Sequence, residues 1–339
     1  MEAFTLEGQA ALKCGFPDEN LVTQEALEMA SGSAAAALHA SLLPDHGVIC
    51  DVAAGVGGDA LTMVRRTEGL LCIESDPIHA RMLAHNLSLT GQRNALVLRG
   101  SAEHWLPRLN AQRLSGVFAD PARRSEGQRH VATTAYRPSL EIFDALPATL
   151  PVLVKIAPGA DPPPGWTLAT VAVGSGCPEQ LLSRNCGLPA VVALHAENGA
   201  RWIPVRHAPV HAGEPRFLIE PHAAIIRTGR VADYLRAHGA EPLDPHIAYG
   251  WSSSPPPASV WHRGFRLLRV ETFNRKRLRR IAAELDFGPA TEIKKRGFPE
   301  TPEQIRGKLR LRGGRSGVIF ITRRGEGHLM MFAERLPAE

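Results

Sequence analysis

Apolar runs recur between residues 46 and about 206, and most of them close on an acid, a lysine or a glycine: Val48 to Val52, Leu70 to Ile73, Asn94 to Leu98, Gly116 to Ala119, Pro151 to Ile156 and Thr170 to Val173. Short continuous apolar runs of this kind predict strands buried on both faces. Ile78 to Leu89 carries mixed apolar and polar positions at helical spacing, and alternation of such segments with the runs predicts an α/β domain. Pro189 to Leu194 and Arg201 to Val205 flank Glu197-Asn198-Gly199 and predict a hairpin. Before this block, Leu21 to Met29 and Ser33 to Leu43 read as Ala- and Leu-rich helices, closed by Pro44-Asp45-His46-Gly47 and placed to cap the sheet or its cleft. After it, Pro204 to Pro215 reads as a linker and Ser252 to Pro257 as a loop. Strand-like Phe265 to Phe273, Gly317 to Thr322 and His328 to Phe332 then alternate with charged stretches. The expected organisation is a helical segment over 1–45, an α/β domain over 46–215 and a smaller α+β domain over 216–339.

The most informative stretch is Val48-Ile49-Cys50-Asp51-Val52-Ala53-Ala54-Gly55-Val56-Gly57-Gly58-Asp59-Ala60, an apolar strand followed by a glycine turn and a helix start. Gly55 and Gly57 allow backbone conformations closed to other residues and a close approach by a ligand. Asp51 lies near the strand's carboxyl end, where open α/β sheets bind ligands. The spacing Gly55-x-Gly57-x-x-Ala60 also fits the dinucleotide pattern, in which a pyrophosphate rests on a helix N-terminus. A carboxylate just before the glycines repels a pyrophosphate and suits the cationic methyl donor S-adenosylmethionine, which carries none. Glu74 ends the next strand, seventeen residues past Gly57, and there a carboxylate can accept from both ribose hydroxyls. The loop Ser101-Ala102-Glu103, after the third strand, is the candidate adenine site.

The fourth strand runs into Asp120-Pro121-Ala122-Arg123-Arg124, where the proline fixes the backbone and presents a carboxylate to an acceptor. Methyl transfer is an in-line displacement, so positioning supplies much of its acceleration. Asp120, Pro121 and Lys155, the last on the fifth strand, are the candidate catalytic residues. Lys155 reads either as a cation that orients Asp120 or holds a phosphate, or as a lysine snorkelling from a strand end. Cys177 is a weaker candidate nucleophile, without an evident base or cation beside it.

These segments resemble the class I S-adenosylmethionine-dependent methyltransferases, and among them the bacterial family that carries a C-terminal THUMP-like domain. Asp51 to Gly57 match the glycine motif, Glu74 the ribose acid, Ser101 to Glu103 the adenine loop and Asp120 to Arg124 the active-site segment. Val154 to Gly159, Glu220-Pro221 and Arg269 to Arg335 match later segments, so the likeness spans nearly the whole chain. It implies a Rossmann-like domain with a seven-stranded, mostly parallel sheet, S-adenosylmethionine as cofactor, and cofactor contacts at Asp51, Ala53, Gly55, Gly57, Glu74, Ser101, Ala102, Glu103 and Asp120. Ala53 departs from the usual pattern, which has a glycine there. The segment after Asp120 also lacks the aromatic residue common in amino-group methyltransferases, which leaves base-nitrogen methylation open.

Charge gives the acceptor. From Arg263 to Glu326 there are 18 Lys or Arg against 7 Asp or Glu, whereas the whole chain carries only +5. Concentrated basicity of this kind is the footprint of phosphate-backbone binding, and a THUMP-like domain implies the same partner. Lys276, Arg277, Lys294, Lys295, Arg296, Arg310, Arg312 and Arg315, with Arg123 and Arg124 from the active-site segment, are the candidate RNA contacts. A protein or small-molecule acceptor, and a non-catalytic RNA-binding protein with a degenerate donor pocket, remain as alternatives. Five unpaired cysteines in 339 residues argue against a disulfide framework. His207, His211 and His222 lack the spacing of a zinc site. With neither a signal core nor a long apolar span, the expectation is a cytoplasmic protein that binds neither membrane nor metal.

Overall fold

The computed structural model describes residues 4–5, 19–121, 124–125, 128–129, 136–159, 162–210 and 213–337. The chain divides into two units, Met1–Ile203 and Pro204–Glu339.

The first unit is built on a sheet whose strands are β1 (Val48–Val52), β2 (Gly69–Glu74), β3 (Ala95–Arg99), β4 (Leu114–Ala119), β5 (Val152–Ile156), β6 (Thr167–Val173), β7 (Gly176–Arg184), β8 (Val191–His195) and β9 (Arg201–Trp202). Its spatial order is β3-β2-β1-β4-β5-β7-β6-β8-β9. Neighbours among β1 to β5 run parallel, and β7 is antiparallel to both β5 and β6. The sheet therefore exceeds the expected seven strands, because β8 adds parallel to β6 and brings the β8–β9 hairpin with it. Residues of alternating parity feed two cores: Ile49, Leu70, Phe118 and Leu153 on one face, Cys50, Val52, Val117 and Val154 on the other. Covered faces explain why these strands are largely apolar, with Asp51, Glu74 and Lys155 as exceptions near their carboxyl ends.

β7 has no counterpart in the sequence expectations. Pro178 and Gly176 mimic a loop there, yet Pro178 falls at a register break between β6 and β7, where a missing N–H is tolerated. Glu179 to Ser183 beyond it are all buried. Among the described residues two helices precede the sheet, α1 (Gln24–Met29) and α2 (Ser33–Ser41). Leu21 and Val22, expected in a helix, pair instead with Phe4–Thr5. The Asn86 amide side chain claims both the N–H and the C=O of Leu21, and Thr23 caps α1, so the helix cannot start earlier. The remaining helices are α3 (Ala60–Met63), α4 (Pro77–Leu89) and α5 (Ala102–Trp105). No helix among the described residues is long and apolar enough to cross a membrane.

The second unit contains β10 (Phe217–Pro221), α6 (Ala223–Arg227), α7 (Val231–Ala237), β11 (Glu241–Asp244), β12 (Ile247–Ser252), β13 (His262–Thr272), α8 (Arg275–Glu284), β14 (Glu292–Arg296), α9 (Pro302–Leu309), β15 (Val318–Arg324) and β16 (Gly327–Arg335). Its sheet has the order β11-β12-β10-β13-β16-β15-β14, antiparallel except for β14 with β15. Asn274 caps α8 through the Lys276 and Arg277 N–H groups. The helix buries Leu278, Ile281 and Ala282 and leaves Arg275, Lys276, Arg277, Arg279 and Arg280 exposed. Arginine and lysine form helices well, so such a face costs little locally.

Two turn glycines serve different ends. Gly55 has φ +58 with open space where a side chain would begin, whereas Gly57 has φ +106 and a Cβ there would meet Leu83 of α4 at 2.9 Å. Replacing Gly55 with alanine should cost about 1 kcal/mol, the strain of a left-handed residue. Gly57→Ala should cost about twice that, strain plus repacking. Urea unfolding of the two variants checks this, and equal losses would contradict the packing role of Gly57.

Candidate active site

The carboxyl ends of β1, β2, β4 and β5 open onto a cavity of about 940 Å³. The first two are joined by the glycine turn, which brings Asp51, Ala53, Gly55 and Asp59 to its wall, with Glu74 from β2 and Ser101, Ala102 and Glu103 from the start of α5. Asp120, Pro121 and Lys155 join them from β4 and β5, and Ser31 and Glu179 from the α1–α2 turn and β7.

Asp51 is 1% exposed, and neither of its carboxylate oxygens has a hydrogen-bond partner among the described residues. Burial, and after it Asp59 and Asp120, hold its carboxyl well above the usual range. Glu74 is satisfied locally, with Oε2 accepting the Gly55 N–H at 2.7 Å and Oε1 the Asp76 N–H at 2.8 Å. Asp76 is spent on capping α4, where it accepts from the Ile78 and His79 N–H groups. Ala53 takes a left-handed φ of +59, strained for a residue with a Cβ.

Five side chains close a ring, four of them at the wall and His39 behind it. His39 Nε2 lies 2.6 Å from Glu179 Oε1 and its Nδ1 lies 2.7 Å from Asp59 Oδ1. Ser31 Oγ donates to Asp59 Oδ2 at 2.7 Å and accepts from Lys155 Nζ at 2.7 Å. Lys155 Nζ completes the circuit 3.5 Å from Glu179 Oε2 and reaches out of it to Asp120 Oδ2 at 2.5 Å. Lys155 is 2% exposed and His39 is fully buried, stacked on Phe118. Burial lowers the His39 pKa, but Glu179 and Asp59 outweigh it and push the group up to about 9. The same contest, with Asp120, Glu179 and Asp59 prevailing over burial, keeps Lys155 charged. Asp59 stays ionised because Lys155 and His39 overcome its burial.

Comparison with known proteins fixes the family. Two relatives from Mycobacterium tuberculosis strains, each named an uncharacterized S-adenosylmethionine-dependent methyltransferase, are 30% identical over 324 residues, 91% of this chain and 86% of theirs. The chain belongs to that family of S-adenosylmethionine-dependent methyltransferases. Residues 262–335 of the methyltransferase match the family model described as THUMP domain-like. A crystal structure of a candidate methyltransferase from Porphyromonas gingivalis W83 shares the fold, with TM-score 0.80, 18% identity, and coverage of 95% of this chain and 85% of that one.

The donor-side residues of the methyltransferase expected from sequence line one cavity, with one correction. Gly57 does not reach the wall; its missing Cβ makes room for Leu83 and Leu61. Cys177 does not line the cavity either, and its Sγ donates to the Glu179 carbonyl at 3.4 Å. Ser31, His39, Asp59 and Glu179 escaped sequence reasoning. Asp59 stood inside the glycine motif, and His39 interrupts an otherwise Ala-rich helix. Their partners lie up to 140 residues away, so only the fold joins them.

The basic candidates divide less favourably. Lys294 is a half-buried partner of Glu220 and also lies 3.5 Å from Glu292. Arg296 stacks over Tyr249, and Lys295 Nζ donates to the Phe298 carbonyl. Arg277 and Arg315 pair with Glu271 and Glu334. Of the candidates Lys294 to Arg296, strand geometry therefore brings Lys294 and Arg296 to Glu220, which the sequence keeps distant, while Lys295 meets a nearby carbonyl. Lys276, Arg310 and Arg312 are exposed and carry no ion pair among the described residues. Arg123 and His211 lie outside the described residues, and Arg124 is placed only as part of the two-residue strand Arg124–Ser125. No group of metal-binding side chains occurs among the described residues.

Because the His39 pKa is raised from 6.5 to about 9 on folding, its protonation stabilises the fold fully below the lower value and ceases to do so as pH rises through the higher one. A shift of this size is worth about 3 kcal/mol. Chemical denaturation should show stability falling by that order between about pH 6.5 and pH 9, with most of the fall absent in His39→Gln. A wild-type profile that is flat across this window would contradict a protonated His39.

Proposed function

We propose that this methyltransferase acts on RNA, with the first unit holding S-adenosylmethionine and the second supplying contacts to the phosphate backbone. The observation that carries the reading is the basic surplus between Arg263 and Glu326, 18 against 7, in the stretch that matches a THUMP-like model. Within it, Lys276, Arg310 and Arg312 are exposed cations without acidic partners among the described residues, the kind of side chain that releases counterions on meeting a phosphate backbone. A cytoplasmic setting accords with the free thiols of Cys50, Cys72, Cys177 and Cys186.

The residues at the cavity suit the methyl donor. Asp51, a buried carboxylate with two unpartnered oxygens, would hold the methionine ammonium, and the second lone pairs of Glu74 would accept from the ribose hydroxyls. Ser101, Ala102 and Glu103 would flank the adenine. Bound there, S-adenosylmethionine supplies an electrophilic methyl group on a cationic sulfur. Asp120 and Pro121 would receive the acceptor, and Lys155 would hold the Asp120 carboxylate in place. With the ring neutral, Asp120 and Glu197 make this wall acidic, which favours a neutral base over a phosphate at the point of transfer.

Binding to bulk tRNA or ribosomal RNA should weaken steeply with salt, and the triple variant Lys276→Glu, Arg310→Glu, Arg312→Glu should lower the log–log salt slope by about three. Tritiated methyl donor incubated with total extract should label nucleosides on digestion. RNA binding that is absent or indifferent to salt, with label in amino acids, would replace RNA by a protein acceptor.

A further inference from the structure

Asp51 is a carboxyl group in surroundings that disfavour its charge. It lies on β1 between β2 and β4, 1% exposed, with both oxygens unpartnered among the described residues. Most of the groups facing it have the wrong sign: Asp59 from the N-terminus of α3, Asp120 from the end of β4 and Glu74 from the end of β2. The thiols of Cys50 and Cys72, beside it on β1 and β2, are held uncharged by burial. The cation near it, Lys155, is already bonded to Asp120 and Ser31 and lies 3.5 Å from Glu179. A buried carboxylate left uncompensated is strongly unfavourable, and a bound proton is the simplest compensation. The direction of its pKa agrees.

We propose that the methyl donor binds by ion exchange: its methionine ammonium replaces the proton on Asp51, so that each donor bound releases one proton to solvent. This rests on the assignment of Asp51 to the methionine end of the donor. The carboxyl O–H bond breaks, its electron pair stays on Asp51, and the proton passes to buffer. An ammonium brings one positive charge and N–H donors to two oxygens that lack both, and the resulting bonds are charge-assisted. Ligands that keep the adenosine but lack the amino acid have nothing to exchange. The amino-acid half would then be selected by charge as well as by shape.

Titration calorimetry of the full chain in two buffers of different ionisation enthalpy tests this with S-adenosylmethionine, S-adenosylhomocysteine and 5′-methylthioadenosine. Below the free Asp51 pKa the first two should release about one proton each, the number falling as pH passes that value. Methylthioadenosine should release none. Asp51→Asn should abolish the release and weaken both full ligands at least about tenfold, while its unchanged affinity for methylthioadenosine reports an intact fold. Donor binding with equal heat in both buffers, or equal release with methylthioadenosine, would overturn the exchange. Wild-type affinity and proton release in Asp51→Asn would overturn the assignment of Asp51 itself.

Discussion

The ammonium of Lys155 is buried at the end of a central strand, and one wall of the cavity in the first unit is arranged around it. A cation there is tolerable only if carboxylates come to it, and they come from separated parts of the chain: Asp59, Asp120 and Glu179, with Ser31 between. His39 supplies the second positive charge, so two cations and two carboxylates leave the ring neutral and the Asp120 charge facing the cavity. Removing one member of such a set costs about 3–5 kcal/mol because it strands the others. The ring thereby ties α2, the glycine turn, β5 and β7 to one another. Through Lys155 the ring also holds the Asp120 carboxylate, the group proposed to meet the acceptor.

The half of the cavity proposed for the methyl donor has parts that were largely legible in the sequence. Its parts are local: a strand, an acid and a glycine turn at Asp51 to Gly57, then Glu74 at the next strand end, each fixed by short-range spacing. The ring was illegible for the opposite reason. Nothing near His39 says that Glu179 will lie 2.6 Å away, and β7, which carries Glu179, was hidden by Pro178. Charge counting found the basic region of the second unit but could not sort it. Lys294 meets Glu220, 74 residues away, across the sheet, whereas Lys276 and Arg312 meet no acid among the described residues.

Strain marks the boundary between folding and function at the turn. Ala53 with φ +59 and Gly55 with φ +58 bend the chain after β1, so the backbone N–H of Gly55 reaches Glu74. Gly57 then lets α3 and α4 close behind it. The turn is thus stabilised from outside the cavity, and Asp51 at its wall is left with two carboxylate oxygens that no group among the described residues meets. An unsatisfied buried carboxylate is costly in a fold and informative about a ligand.

A crystal structure of the protein with S-adenosylhomocysteine tests this most directly. The account predicts the amino group of the ligand within hydrogen-bonding distance of Asp51 and the ribose hydroxyls on Glu74, with the ring from His39 to Lys155 unchanged. A ligand bound elsewhere, or one bound in the cavity with Asp51 still unpartnered, would contradict it.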